Sequence, residues 1–323
     1  IDPIITAASD KDWKVRYWAV EILGTIGSNN DESYIIAALK DPIRYVRQNA
    51  RRSLRKRNTD TAKEALEQEK RDLRVRAEKL IAENQLEKAV ELLENALEID
   101  DTSAQFHALL GYALFRQGKL DSSAARYQTA LQLSPSSASV HESLGRVLLE
   151  QGNLESAEPI LRKAVRLNPR SPSALHSLSN VYRAMKRYDD AVLALRKATA
   201  LNEDDLTAHA NLAFALRQTG HEQESASVLK KMLEQDPENA SAWGSLGASL
   251  HRSGKVQEAV DAMERALSLE PGSALLHNNL GVLYEQQGDL SRAHAQYQRA
   301  LEAAPGNSVF TDNLERVETT LEK

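Results

Sequence analysis

The sequence predicts an all-α protein, a solenoid of stacked helix-turn-helix repeats. Three observations carry this expectation. Ala, Leu, Glu and Arg are abundant among the 323 residues, and aromatics make up only 5%, which favours helices over strands. Four columns of residue types recur at a fixed step of 34 residues. Within each step the apolar residues fall at the i, i+3, i+4, i+7 spacing of amphipathic helices, in two runs parted by Gly and closed by Pro.

The columns come first, because a fixed period determines everything downstream. Leu-Gly stands at 110–111, 144–145, 246–247 and 280–281, with Leu178-Ser179 and Leu212-Ala213 in the two slots between. A second column holds Pro135, Pro169, Glu203, Pro237, Pro271 and Pro305. A third holds Gly118, Gly152, Lys186, Gly220, Gly254 and Gly288, and a fourth Ala130, Ala164, Ala198, Met232, Ala266 and Ala300. In the unit from Ala240, the first helix carries Trp243, Leu246, Gly247 and Leu250, and Gly254 ends it as a left-handed residue. The second carries Val256, Ala259, Val260, Met263, Ala266 and Leu267, and Pro271 blocks its continuation. Gly247 and Ala259 are small enough for the two helices to cross closely.

This pattern resembles the tetratricopeptide (TPR) family, whose repeat carries a Trp-type residue, Leu-Gly, Tyr, Gly, Ala, an aromatic, Ala and Pro. The resemblance covers residues 104–305 and extends back to about Lys70 as a degenerate copy with Ala77, Leu80, Ala89, Leu93, Ala96 and Leu97 in phase. The expected organisation is therefore seven TPR repeats over 70–307 and a capping helix over 308–323, with Phe310, Leu314, Val317 and Leu321 as its apolar stripe. The resemblance also implies a right-handed superhelix with the first helix of each pair on its concave side.

Residues 1–57 have a different frame. Asp10, Val15, Arg16, Ala19 and Leu23 align with Asp41, Val46, Arg47, Ala50 and Leu54 at a period of 31. This resembles short bacterial HEAT repeats, the first one truncated to the helix end around Pro3–Ala8. Asp10 and Asp41 are expected to cap the second helix of each pair, and Arg16 and Arg47 to hydrogen-bond across the turn. Residues 58–69 are polar and charged, a linker or an extension of the next helix. The chain opens at Ile1 within a pattern, which suggests excision from a longer protein.

Composition restricts function. There is no Cys, so no disulfide, thiolate nucleophile or Cys-built zinc or iron–sulfur site. Net charge is −5 and points to no global nucleic-acid or membrane partner. No apolar stretch approaches the roughly 20 residues of a membrane span, and no signal peptide is recognisable. A soluble protein of the cytoplasm or bacterial periplasm fits, with nothing to choose between them. No Gly-rich phosphate loop, Gly-x-Ser-x-Gly elbow or His-Glu-x-x-His occurs, so no catalytic residue or cofactor is expected.

Two clusters invite chemistry. His107, His141, His209 and His277 share the repeat position usually held by Trp. Equivalent positions on stacked helices lie about 8–10 Å apart and a metal–nitrogen bond is about 2 Å, so packing is the better reading and no metal site is expected. The run Arg44, Arg47, Arg51, Arg52, Arg55, Lys56, Arg57 contains no acid. It reads either as a patch for an acidic partner or as a solvated face paired with nearby carboxylates; without interleaved aromatics, nucleic acid is disfavoured.

The family's groove positions hold Tyr112, Phe115, Arg146, His176, Asn180, Arg183, Asn211, Phe214, Arg217, His251, Arg252, Asn278 and Asn279. Rich in Arg, His and Asn, this set suits an extended acidic peptide: Arg forks pair with carboxylates, and Asn grips a peptide backbone. Asn211 and Asn279 sit where O-linked N-acetylglucosaminyltransferases place an asparagine ladder, but Ser143, Ser177 and Ser245 interrupt it. Asn180 and Asn211 resemble two members of the chaperone-binding carboxylate clamp, whose lysines are missing here. The expected function is a non-catalytic scaffold binding a protein or peptide partner. The alternatives are an accessory C-terminal region of a larger bacterial protein, such as an enzyme or multihaem cytochrome, and self-association through Ile4, Ile5 and Trp18 at the truncated end.

Overall fold

The computed structural model describes residues 2–97 and 100–322. They form helices and turns without a strand among the described residues, and they fall into two compact units, 1–152 and 153–323. Each is a one-dimensional stack in which a helix packs chiefly on its neighbours in sequence.

The first unit opens with α1 (Asp2–Ala7), α2 (Trp13–Ile26), α3 (Glu32–Ala37) and α4 (Arg44–Arg57). Val20, Leu23, Ile35, Val46, Ala50 and Leu54 make its front core. A Cβ on Gly24 would meet the Ser53 side chain at 2.3 Å, so only Gly allows α2 and α4 this approach. The turns run differently from the capping expected for Asp10 and Asp41. Asp12 is the N-cap of α2, and Ile43 that of α4 without a side-chain bond. Asp10 and Asp41 sit two residues earlier and accept from the N–H groups of Asp12 and Ile43, at 2.7 and 2.8 Å. Arg16 and Arg47 donate to the carbonyls of Asp10 (2.8 Å) and Asp41 (2.7 Å). Arg16 also makes a fork to Asp41, Nε to Oδ2 at 2.6 Å and Nη2 to Oδ1 at 3.0 Å, which ties successive turns together. Burial works against the Asp41 charge, but the Arg16 fork, the Ile43 N–H and the Arg47 charge overcome it and hold its pKa below the ordinary 3.8.

Residues 60–69 are the start of one unbroken helix. Asn58 turns the chain in the left-handed conformation, Thr59 caps, and α5 runs Asp60–Ala82. Neither Gly nor Pro interrupts it. Its first half enters the front core through Ala62, Ala65 and Leu66; its second half carries Leu73 and Ala77 into the next core, with Leu93, Phe106 and Leu110. The unit continues with α6 (Leu86–Leu97), α7 (Ala104–Arg116), α8 (Leu120–Leu133) and α9 (Ala138–Glu150).

The second unit contains α10 (Leu154–Leu167), α11 (Pro172–Ala184), α12 (Tyr188–Leu201), α13 (Leu206–Gln218), α14 (Glu222–Gln235), α15 (Ala240–Arg252), α16 (Val256–Leu269), α17 (Ala274–Gln286), α18 (Leu290–Ala303) and α19 (Ser308–Leu321). The Leu-Gly column works by close approach. A Cβ on Gly281 would meet the Tyr297 ring at 2.6 Å, and one on Gly247 would meet Met263 at 2.9 Å and the Ala259 carbonyl at 3.2 Å. The third column works by backbone: Gly254 at φ +81° follows α15, with Lys255 N–H bonded to the Leu250 carbonyl and Gly254 N–H to that of His251. Lys186, in the same slot, holds φ +58° despite its side chain. In α19, Phe310 and Val317 are buried and Leu314 packs beside them, whereas Leu321, expected in the stripe, is exposed.

Candidate functional site

The four histidines of the shared column are buried and bonded to backbone carbonyls beside them. His107 Nε2 reaches Asp101 O at 3.0 Å, His141 Nδ1 Ser137 O at 2.8 Å, and His209 Nδ1 Asp205 O at 2.9 Å. His277 binds Pro271 O through Nε2 and Gln296 Oε1 through Nδ1. Each ring pins the loop entering its own repeat. Most of the basic run is similarly engaged. Arg51 makes a fork to Glu69 (2.6 Å at the shortest), Arg52 pairs with Glu21, and Arg57 donates to the carbonyls of Ser28 and Leu23. Arg47 is spent on its turn, and Arg44 and Arg55 also have partners.

The groove residues fall into separate groups. In the first unit the Arg146 guanidinium lies 5.7 Å from the Phe115 ring centre, and Arg116 lies 5.9 Å from that of Tyr112. In the second unit α11 and α13 bring His176, Asn180, Arg183, Asn211, Phe214 and Arg217 together. One turn of α11 separates Asn180 from Arg183 and places both on one face. Arg183 Nη1 donates to the amide oxygens of Asn180 (3.3 Å) and Asn211, and Asn211 Nδ2 lies 3.4 Å from His176 Nε2. Phe214 lies within reach of two guanidiniums, Arg183 at 5.1 Å and Arg217 at 5.9 Å from its centroid. Tyr188 meets it edge-on at 6.1 Å.

Neither arginine has an acidic partner among the described residues. Arg183 Nε is buried without a hydrogen bond. Burial lowers the pKa of both, and the nearby Arg252 charge lowers that of Arg217 further. Beside them opens a cavity of about 350 Å³, with Leu206, Leu229, Met232 and Ala242 among its apolar walls and Asn211, Arg217 and Ser245 among its polar ones. The arrangement can accept an anion over Phe214 and an uncharged group next to it.

The remaining candidates are placed differently. Arg252 points to Glu222, with Nε 3.1 Å from Oε1. His251 Nε2 lies 2.7 Å from Gln286 Oε1. Asn278 is buried and accepts from Asn313 of α19 at 2.8 Å, so it belongs to the cap contact. Asn279 is half-buried on α17. Tyr188 and the Met232 wall were not among the candidates. Met232 could have been found, because it is the only non-Ala member of its column.

Models of the tetratricopeptide repeat match residues 108–172, 182–250 and 245–308, and a TPR repeat model matches 77–118. A HEAT repeats model matches 1–78. The chain is a tetratricopeptide-repeat protein with HEAT repeats at its N-terminal end. The HEAT match takes in most of α5, whose first half packs in that core. A comparison with curated proteins gives no match. Solved TPR structures share the fold. The C-terminal part of a TPR repeat-containing protein from Cytophaga hutchinsonii superposes with a TM-score of 0.63 at 15% identity, covering 75% of this chain and 99% of that one. Pseudomonas aeruginosa pilF gives 0.53 at 19%, over 69% and 99% of the two chains. YrrB, a TPR protein with an unusual peptide-binding site, gives 0.53 at 20%, over 58% and 97%. The TPR fold assigns the chain to protein-interaction scaffolds. No described helix is long and apolar enough to cross a membrane.

Proposed function

We propose that the chain is a non-catalytic scaffold that holds an extended, acidic peptide segment of a partner protein on the face formed by α11 and α13. The observation that supports this most is the Arg183–Phe214–Arg217 stack, two desolvated guanidiniums without a carboxylate. A cation held away from water without a counter-charge is costly, and a ligand carboxylate offsets that cost. Asn180, Asn211 and His176 lie beside the stack to bond the peptide backbone. The peptide-binding site named for YrrB is consistent with this use of the fold.

Fluorescence anisotropy with a labelled glutamate-rich peptide tests the reading. The full chain should bind it about tenfold or more tightly than the glutamine analogue, as expected when charge-assisted bonds contribute about 1.5–3 kcal/mol. Affinity should fall as salt screens the pair. Equal binding of both peptides would sink the proposal.

A further inference from the structure

Helix α5 serves the front core of the first unit and the core that follows it, and a second cavity lies beside it. Helix α4 packs on its first half and α6 on its second. Between them opens a groove of about 850 Å³, within the about 300–1,000 Å³ typical of binding sites. Its floor is apolar, with Ile36, Leu39, Leu73, Leu92 and Ala96. Val75 stands on its lip, 55% exposed.

The charges around this floor are unbalanced. Five cations, Lys40, Arg44, Arg47, Arg51 and Arg76, face three carboxylates, Asp41, Glu69 and Asp72. Two of the carboxylates are already engaged, Asp41 by Arg16 and Glu69 by Arg51. Lys40 and Arg76 are exposed, and neither has a hydrogen bond or ion pair among the described residues. Burial and then the neighbouring Arg51 charge lower the pKa of the deeper Arg47, against Glu69 and Asp41, which raise it. The groove therefore offers apolar contact with positive charge at its mouth. No aromatic side chain lines it to stack a base and its floor is apolar, so a protein ligand fits better than a nucleic acid.

We infer that this junction groove is a second docking site, separate from the Arg183–Arg217 face, for an amphipathic segment of a partner protein. Apolar side chains of that segment fill the floor over Leu39 and Leu73, and flanking carboxylates meet Lys40 and Arg76.

The probe is a labelled synthetic peptide with leucines at i, i+3, i+4 and i+7 and glutamates between them, titrated into the full chain. Its controls replace the glutamates by lysines, or the leucines by alanines. The leucine–glutamate peptide should bind about tenfold or more tightly than either control. Val75→Glu and Arg76→Glu should each weaken it about tenfold, with unchanged circular dichroism, since both residues are exposed. In the double variant Arg183→Glu/Arg217→Glu, which removes acidic-peptide binding at that other face, the remaining binding of the probe should keep its sensitivity to V75E and R76E. Absence of binding, equal binding of the lysine control, or insensitivity to V75E and R76E would overturn the inference. So would loss confined to the Arg183/Arg217 variant, or tighter binding of a single-stranded oligonucleotide that R76E abolishes.

Discussion

A few side chains carry local costs that the rest of the structure offsets, and each makes a prediction. Lys186 holds φ +58° in a slot where five other repeats have Gly, and Asn84 does the same at +57° in the first copy. A non-Gly residue in this region costs about 1–2 kcal/mol, partly offset by the greater unfolded-state freedom of Gly. Lys186→Gly should therefore stabilise the protein by about 0.5–1 kcal/mol, read as a higher urea midpoint. Asp41 works the other way. Its fork with Arg16 is nearly enclosed, with side chains 13% and 7% exposed. Asp41→Asn should cost about 2–3 kcal/mol, because the Arg16 charge loses its partner. The Asp41 pKa is depressed below 3.8, so its stabilisation is present above that value and disappears as pH falls through the native value. The wild type should lose stability in that acid range, and Asp41→Asn should be less sensitive there, in urea melts across pH.

The helices show which parts of this architecture can be read from sequence and which cannot. The Leu-Gly and Gly columns were legible because each answers a local demand. Gly281 must leave room for Tyr297, and Gly254 must adopt a positive φ. A further column was equally legible and went unused: Ser103, Ser137, Ser171, Asp205 and Asn239, each a side-chain cap of the first helix of its pair. The candidate site was only partly legible. Repeat position places a residue on a face, but its partners lie 28–35 residues away on neighbouring helices, as in Arg183–Asn211 and Asn278–Asn313. Glu222 turns Arg252 aside, and α19 covers Asn278, and no local pattern announces either. That last helix is held by a specific knot. Glu285 of α17 accepts from Tyr297 at 2.7 Å and from Arg316 of α19 at 2.8 and 2.7 Å. The Arg316 bonds hold the Glu285 pKa below 4.5. Glu285→Ala should destabilise the array by about 1–2 kcal/mol and speed amide exchange in α19 before other helices.

For the molecule as a whole, charge and function separate. The chain carries a net −5, yet Arg76 at the junction groove and Arg217 at the second-unit cavity have no ion pair among the described residues. The HEAT and TPR cores are continuous through α5, while the histidine column and most of the basic run serve local turns and ion pairs. Under the proposed function, recognition falls to a small set of residues, dominated in the second unit by Arg183, Phe214 and Arg217. A charge swap tests this directly. Glutamate-rich and lysine-rich labelled peptides would be titrated into the parent chain and into Arg183→Glu/Arg217→Glu at low ionic strength. The parent should prefer the glutamate-rich peptide and the variant the lysine-rich one, a reversal of about tenfold or more each way. Retention of the parent's preference in the variant would contradict the account.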